Sequence, residues 1–76
     1  MKNLDFRVCL MDFGNWVKQA RERIGLSQAE VARAVNINQS QYSRIESAKR
    51  EVDLITAMGI CHVLNLDLSD FIKSHM

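Results

Sequence analysis

The stretch LSQAEVARAVNINQSQYSRIE, residues 26–46, decides the fold of this chain. Two short segments with apolar residues at helical spacing meet at Asn36, without the glycine that usually marks a sharp turn. The second segment gathers amide and hydroxyl side chains around a few apolar positions. So many short hydrogen-bonding groups on one segment predict a surface that binds a polar partner.

Both segments begin with a capping box, in which a polar N-cap and a residue three positions later satisfy each other's backbone N–H groups. Ser27 and Glu30 form the first box and predict a helix over 28–35. Asn38 and Gln41 form the second and predict a helix over 39–46. Asn36 replaces glycine at the intervening turn, because asparagine tolerates the left-handed conformation.

The helix over 39–46 has one apolar side and one polar side. Tyr42 and Ile45 face inward at i, i+3 spacing, and Ile37 supports them from the turn. The residues expected to face outward are Gln39, Ser40, Ser43 and Arg44.

Working outward, the same signals predict three more helices. Residues 13–24 have helical spacing, with Asp12 as N-cap and Gly25 at the end. Asp53 caps a fourth helix through about Leu64, and a short last helix carries Phe71 and Ile72. The residues of the fourth helix expected to face the core are Leu54, Ala57, Met58, Cys61 and Leu64. Gly59 within that helix predicts the close approach of a neighbouring helix. Asn65, like Asn36, is expected to replace glycine at the turn that ends the helix.

Residues 1–11 are ambiguous between a strand and a helix. Leu4, Phe6, Val8 and Leu10 alternate as in a strand, while Leu4, Val8 and Met11 also fit a helix. We favour a strand or arm over residues 1–12, which would pair with another subunit, followed by one domain over residues 13–76.

Composition restricts the class of protein. A chain of 76 residues with 47% hydrophobic residues forms one domain, and the absence of proline with only three glycines favours an all-α fold. We expect no membrane partner, because no apolar run approaches the length that crosses a bilayer. The first residues lack a signal-peptide pattern, so we expect a cytoplasmic protein with Cys9 and Cys61 as buried, reduced thiols.

The net charge of +1 hides a polarised sequence. Residues 16–50 carry seven basic and three acidic side chains, whereas residues 51–76 carry one basic and four acidic side chains. A basic middle region is typical of a phosphate-facing surface.

Two short helices joined by a tight turn, the second with exposed amides and a guanidinium, predict a DNA-binding helix-turn-helix. Gln39 suits adenine, which offers a donor and an acceptor, and Arg44 suits the two acceptors of guanine. Ser40 is small enough to let the helix approach the bases closely. Lys49, Arg50 and the Ser27–Gln28 pair are placed to contact phosphates on either side.

Residues 13–72 resemble the phage repressor and Cro type of helix-turn-helix domain, the xenobiotic response element family. The resemblance lies in RERIGLSQAEVARAVNINQSQYSRIESAKR, residues 21–50, and in LITAMGICHVLNLDLSDFI, residues 54–72. It implies a compact five-helix, lambda-repressor-like fold. The bases would be contacted by Gln39, Ser40 and Arg44, with Asn38 and Ser43 at the edges. The DNA backbone would be held by Ser27, Gln28, Ser47, Lys49 and Arg50.

The resemblance also implies two contacts that position the second helix. Gln28 would contact a phosphate and brace Gln39, and Arg21 would form an ion pair with Glu46. The chain departs from the family pattern where Asn36, Ala48 and Asn65 replace glycine; Ala48 suggests a different end to the recognition helix.

We therefore expect a sequence-specific regulator of transcription, a repressor that binds a two-fold operator on double-stranded DNA as a homodimer. The alternatives are an antitoxin, with residues 1–11 as the toxin-binding segment, and an adaptor that binds protein with the same fold. We expect neither an enzyme nor a bound cofactor, metal or small-molecule ligand, since no nucleophile–base pair, metal-ligand cluster or phosphate-binding glycine loop appears.

Overall fold

Five helices make up the computed structural model, which describes residues 5–75. They are α1 (Phe6–Ile24), α2 (Gln28–Ala34), α3 (Gln39–Glu46), α4 (Leu54–Val63) and α5 (Leu68–Ser74). The described residues contain no strand. The predicted all-α fold of five helices is confirmed.

The first helix begins earlier than predicted, and the strand interpretation is wrong for residues 6–12. Asp5 is the N-cap of α1, and its side chain accepts hydrogen bonds from the backbone N–H groups of Arg7 and Val8. Asp12 lies inside the helix and caps nothing. The prediction failed because the alternation of apolar residues covers too short a stretch to distinguish a strand from one face of a helix. Residues 1–4, the rest of the proposed strand, lie outside the described residues.

Four of the helices end in the same way. Each is followed by a residue in the left-handed conformation, and the next residue donates its N–H to a carbonyl five positions back, as in a Schellman motif. The left-handed residues are Gly25, Asn36, Ala48 and Asn65. The expected roles of the two asparagines are confirmed, and Ala48, with φ of 60°, preserves the turn that glycine would make.

The core lies where α1, α2, α3 and α4 meet. Its fully buried side chains include Val17, Val31, Tyr42, Ile60 and Leu64, so every one of these four helices contributes at least one. Tyr42 and Ile45 face inward as predicted. Gly59 lies close to α2, since a Cβ there would be 3.3 Å from the Val35 side chain, which confirms the predicted close approach.

The core-facing side of α4 differs from the prediction. Ala57, Cys61 and Leu64 are buried as expected, but Leu54 is 62% exposed and Met58 is 52% exposed. Ile60, which was not predicted, is fully buried. Because α4 carries apolar residues on every side, their spacing does not distinguish its inner face from its outer face.

The last helix packs against the middle of α1 through aromatic rings. The Phe71 ring stacks on Trp16 at a centroid distance of 5.3 Å and meets Phe13 edge-on at 5.4 Å. His75 stacks on Phe71 and pairs its Nε2 with an Asp12 carboxylate oxygen over 2.8 Å. The pKa of His75 is raised, first by this hydrogen bond and then by the Phe71 carbonyl group. Residue Asp12, expected to be a cap, instead fastens α5 to α1.

Cys9 and Cys61 are both free, and only Cys61 is buried. Burial raises the pKa of the Cys61 thiol to about 11. Over residues 5–75 no single helix is long and apolar enough to cross a membrane; α4 and α5 meet that criterion only when taken together, and they are bent by 118°.

Candidate DNA-binding surface

Helix α3 is fixed at its start by its own cap. The Asn38 side-chain oxygen accepts the Gln41 backbone N–H over 2.8 Å, and the Gln41 side-chain oxygen accepts the Asn38 N–H over 3.1 Å. Ser27 and Glu30 form the same reciprocal pair at the start of α2. Both predicted capping boxes are therefore confirmed, and they set the helix–turn–helix between Gln28 and Glu46.

An ion pair holds the end of α3 to α1. Arg21 donates from Nε to Glu46 Oε2 over 2.7 Å and from Nη2 to Oε1 over 3.1 Å. The third guanidinium nitrogen donates to the Leu26 carbonyl oxygen over 2.9 Å. The Arg21 side chain is 12% exposed and that of Glu46 is 3% exposed, so the pair lies largely away from water. One arginine thus joins α1, the loop before α2 and α3.

Gln28 completes this network in a way that the sequence did not predict. Its amide donates to Glu46 Oε1 over 2.9 Å, and no hydrogen bond joins it to Gln39 among the described residues. The expected contact between Gln28 and Gln39 is therefore wrong for this structure, because the Gln28 amide donates to the Glu46 carboxylate instead. Burial alone would raise the pKa of Glu46, but the hydrogen bonds from Arg21 and Gln28 outweigh it and the pKa is lowered.

The hydroxyl of Tyr42 lies beside this network. It is buried and has no hydrogen-bond partner of good geometry within the described part of the chain. Burial raises the pKa of Tyr42 far above its usual range, and the nearby Glu46 carboxylate adds to the effect. The phenol stays neutral and acts as an anchor for α3 beneath the outward-facing residues.

Gly14 lets α1 approach the end of α3 more closely than any other residue would. A Cβ at this position would overlap the Glu46 carbonyl oxygen and would lie 2.8 Å from that of Ile45. Sequence reasoning missed this contact, although a glycine inside a helical pattern is the signal for one. The last turn of α3 is consequently held by its side chains and by direct backbone contact.

The outer side of the helix–turn–helix carries the predicted site residues. On and beside α3, the exposed residues are Asn38, Gln39, Ser40 and Arg44, and Ser43 is half-buried. At the flanks, Ser27, Ser47, Lys49 and Arg50 are exposed and Gln28 is half-buried. Ser47 donates its hydroxyl to the Arg44 carbonyl oxygen over 3.3 Å, so its proton points toward the helix.

A comparison with protein families matches residues 17–71 to the helix-turn-helix family HTH_3. This chain belongs to that helix-turn-helix family. It is accordingly a DNA-binding regulator of transcription, of the same general type that the sequence resemblance predicted. Proteins of this class are not normally enzymes.

Individual relatives agree with the family match. The control protein C.MunI from a Mycoplasma species is 37% identical over 59 residues, which cover 76% of this chain and 80% of the relative. Among solved structures, the restriction-modification controller protein C.AhdI from Aeromonas hydrophila superposes with a TM-score of 0.79. It shares 24% identity, and the match covers 88% of this chain and 97% of C.AhdI.

A second solved structure has the same fold. The clp gene regulator ClgR from Corynebacterium glutamicum superposes with a TM-score of 0.81 at 21% identity. The match covers 88% of this chain and 71% of ClgR. At these identities the two structures establish the fold of the helix-turn-helix protein alone.

Proposed function

We propose that this helix-turn-helix protein is a homodimeric repressor that recognises a two-fold operator. The observation that carries the proposal is the construction of α3. Its inner side is fixed by Tyr42 and by the Arg21–Glu46 pair, while its outer side presents Gln39 and Arg44 to solvent. A rigid helix with polar groups facing outward suits the major groove, where each base pair offers its own pattern of donors and acceptors.

The flanking charges support this orientation. Lys49 and Arg50 follow α3 and are exposed, and the free backbone N–H groups at the start of α2 lie beside Ser27. Such groups bind phosphates and set the register of the helix on the duplex without reading sequence. In this proposal Gln39, Ser40 and Arg44 read bases, Asn38 and Ser43 lie at the edges, and Ser27, Gln28, Ser47, Lys49 and Arg50 hold the backbone.

Exposed apolar side chains on α4 support the dimer. Leu54, Ile55 and Met58 are 62%, 75% and 52% exposed, and their i, i+1, i+4 spacing places them together on one side of the helix. We refer to these three residues as the α4 patch. A second copy that covered the patch would give a two-fold dimer, and two α3 helices roughly 34 Å apart would match one turn of DNA.

One relative supports a more specific kind of regulator. C.MunI is named a control protein, and this chain is 37% identical to it over most of both lengths. We take the present protein to be a control protein as well, and in this proposal its own concentration sets how much of the operator is occupied. Because its partner is DNA, it acts in the cytoplasm or nucleoid.

Selection from a random duplex library at physiological salt tests the proposal. The expected result is a two-fold motif with half-sites about one helical turn apart. Gln39→Ala and Arg44→Ala should each relax specificity at one position and cost roughly 1–3 kcal/mol of binding free energy. Lys49→Ala is the matched control, since it should weaken all sequences alike and reduce the salt slope by about one.

The opposite results are equally clear. If Gln39→Ala and Arg44→Ala lowered the affinity for specific and for random DNA equally, these residues would contact only phosphate. No enrichment of any motif by folded protein would favour the antitoxin that needs its partner, or the protein-binding adaptor.

A further inference from the structure

Two of the polar side chains at the start of α3 are already joined to each other. The Ser40 hydroxyl donates to Asn38 Oδ1 over 2.8 Å, and the same oxygen accepts the Gln41 backbone N–H over 2.8 Å. The second bond settles the orientation of the Asn38 amide, because only its oxygen can accept from a backbone N–H. Both lone pairs of that oxygen are therefore engaged within the protein.

This pairing limits what Ser40 can offer to DNA. A serine hydroxyl has a single proton, and that of Ser40 is directed at Asn38. Ser40 is exposed, so its remaining lone pairs face outward and can only accept. In the major groove the hydrogen-bond donors are the exocyclic amines of adenine and cytosine, whereas guanine and thymine present acceptors.

The neighbouring side chains are not limited in the same way. Asn38 retains two amide protons and can only donate, which suits a phosphate oxygen or a base acceptor. Within residues 5–75, no hydrogen bond engages the side chains of Gln39 and Arg44, so Gln39 keeps both a donor and an acceptor. Ser40 is thus the acceptor-only group among Gln39, Ser40 and Arg44, the three residues proposed to read bases.

We infer that Asn38 acts as a positioning residue that makes Ser40 select adenine or cytosine at one operator position. The inference rests on the proposed function, in which α3 enters the major groove. A guanine or thymine at this position would place two acceptor oxygens against each other unless Ser40 gave up its bond to Asn38. The loss of one such hydrogen bond corresponds to a preference of about two- to tenfold.

Duplex selection with three proteins tests the inference: the wild type, Ser40→Ala and Asn38→Gly. The position affected by Ser40→Ala identifies the base opposite Ser40, and the wild type should retain adenine or cytosine there. Asn38→Gly keeps the serine but frees its hydroxyl to rotate and donate, so all four bases should be retained almost equally at that position. Glycine at an N-cap costs only a few tenths of a kcal/mol relative to asparagine, so α3 should still form.

Asn38→Asp is the matched control. It keeps the oxygen that accepts from Ser40 and Gln41 but loses both amide donors and adds a negative charge. It should weaken binding to every sequence while the adenine or cytosine preference remains. Circular dichroism would verify that each variant is helical.

The outcomes separate the inference from the proposed function. A wild-type preference for guanine or thymine at the Ser40 position would overturn the inference, as would an unchanged preference in Asn38→Gly or a lost preference in Asn38→Asp. A wild-type protein that selects no motif at all would overturn the proposed function itself.

Discussion

At the scale of the residue, the Arg21–Glu46 pair has the largest expected effect on stability. Both side chains are largely buried, and Glu46 accepts three hydrogen bonds, two from Arg21 and one from Gln28. Removing Arg21 would leave a buried carboxylate with one partner, and breaking such a pair costs several kcal/mol, whereas a solvated pair contributes 1 kcal/mol or less.

Arg21→Ala should therefore lower the free energy of unfolding by about 3 kcal/mol at neutral pH. Arg23→Ala, an exposed arginine of the same helix, is the control and should change it by no more than about 0.5 kcal/mol. Chemical denaturation of the three proteins provides the measurement. A loss below about 1 kcal/mol for Arg21→Ala would place the pair among solvated ion pairs.

The same pair predicts a pH dependence. The folded-state pKa of Glu46 is lower than its ordinary value of 4.5, so the stabilisation is complete above that value and is lost as the pH falls through the folded pKa. The difference in unfolding free energy between the wild type and Arg21→Ala should accordingly narrow below pH 4.5. If this difference in unfolding free energy stayed constant as the pH fell below 4.5, Glu46 would not be ionised in the native state.

Ala48 affects the stability of the protein through its backbone conformation. It adopts φ of 60°, where an L-residue with a β-carbon is strained by roughly 1–2 kcal/mol. Ala48→Gly should therefore stabilise the protein by about 0.5–1 kcal/mol, even though glycine is more flexible in the unfolded chain. Thermal unfolding measures the effect, and Ala34→Gly at the end of α2 should shift the stability the other way. A destabilised Ala48→Gly would mean that the alanine methyl group contributes more than the strain.

At the scale of the element, the contact of α1 with α3 depends on Gly14. Alanine is the better helix former by about 1 kcal/mol, yet a Cβ here would overlap backbone oxygens of α3. Gly14→Ala should destabilise the fold by about 1–3 kcal/mol, the usual cost of overpacking. Gly59→Ala is the control, because its Cβ meets only the Val35 side chain at 3.3 Å, and its effect should be near zero.

Denaturation midpoints of the two variants test this contrast. If Gly14→Ala were as stable as the wild type, α1 could shift without cost and would not fix the position of α3. If Gly59→Ala were as damaging as Gly14→Ala, side-chain contacts would constrain these helices as strongly as backbone contacts do.

The elements also show which parts of the structure the sequence could predict. The α2–turn–α3 unit was predictable because capping residues such as Ser27 and Asn38 act within four positions of the chain. The start of α1 was not predictable, since a few alternating apolar residues fit both the period of a strand and that of a helix. The inner side of α4 was not predictable either, because apolar residues lie all around this helix. The partner of Gln28 could not be predicted, because its long side chain can reach several groups that only tertiary packing brings near.

At the scale of the whole molecule, two surfaces have different chemistry. The helix–turn–helix presents polar and basic side chains, whereas the α4 patch is apolar and exposed. A small protein rarely leaves several large apolar side chains together in water, and such groups mark a contact with another molecule. One α3 helix reads only a few base pairs, so a second copy held through the α4 patch would double the contacts with DNA.

The double variant Ile55→Gln/Met58→Gln tests this arrangement. Both side chains are more than half exposed, so the folded monomer should retain its helicity and unfolding temperature while dimerisation is lost. Sedimentation should give the monomer mass, and affinity for a two-fold operator should fall by about a hundredfold or more, because the two half-sites no longer bind as one unit. Ile24→Gln, at an apolar position of α1 that is about as exposed as Met58, is the control and should remain dimeric. A double variant that stays dimeric and keeps its operator affinity would place the interface elsewhere, since water already reaches the replaced side chains in the monomer.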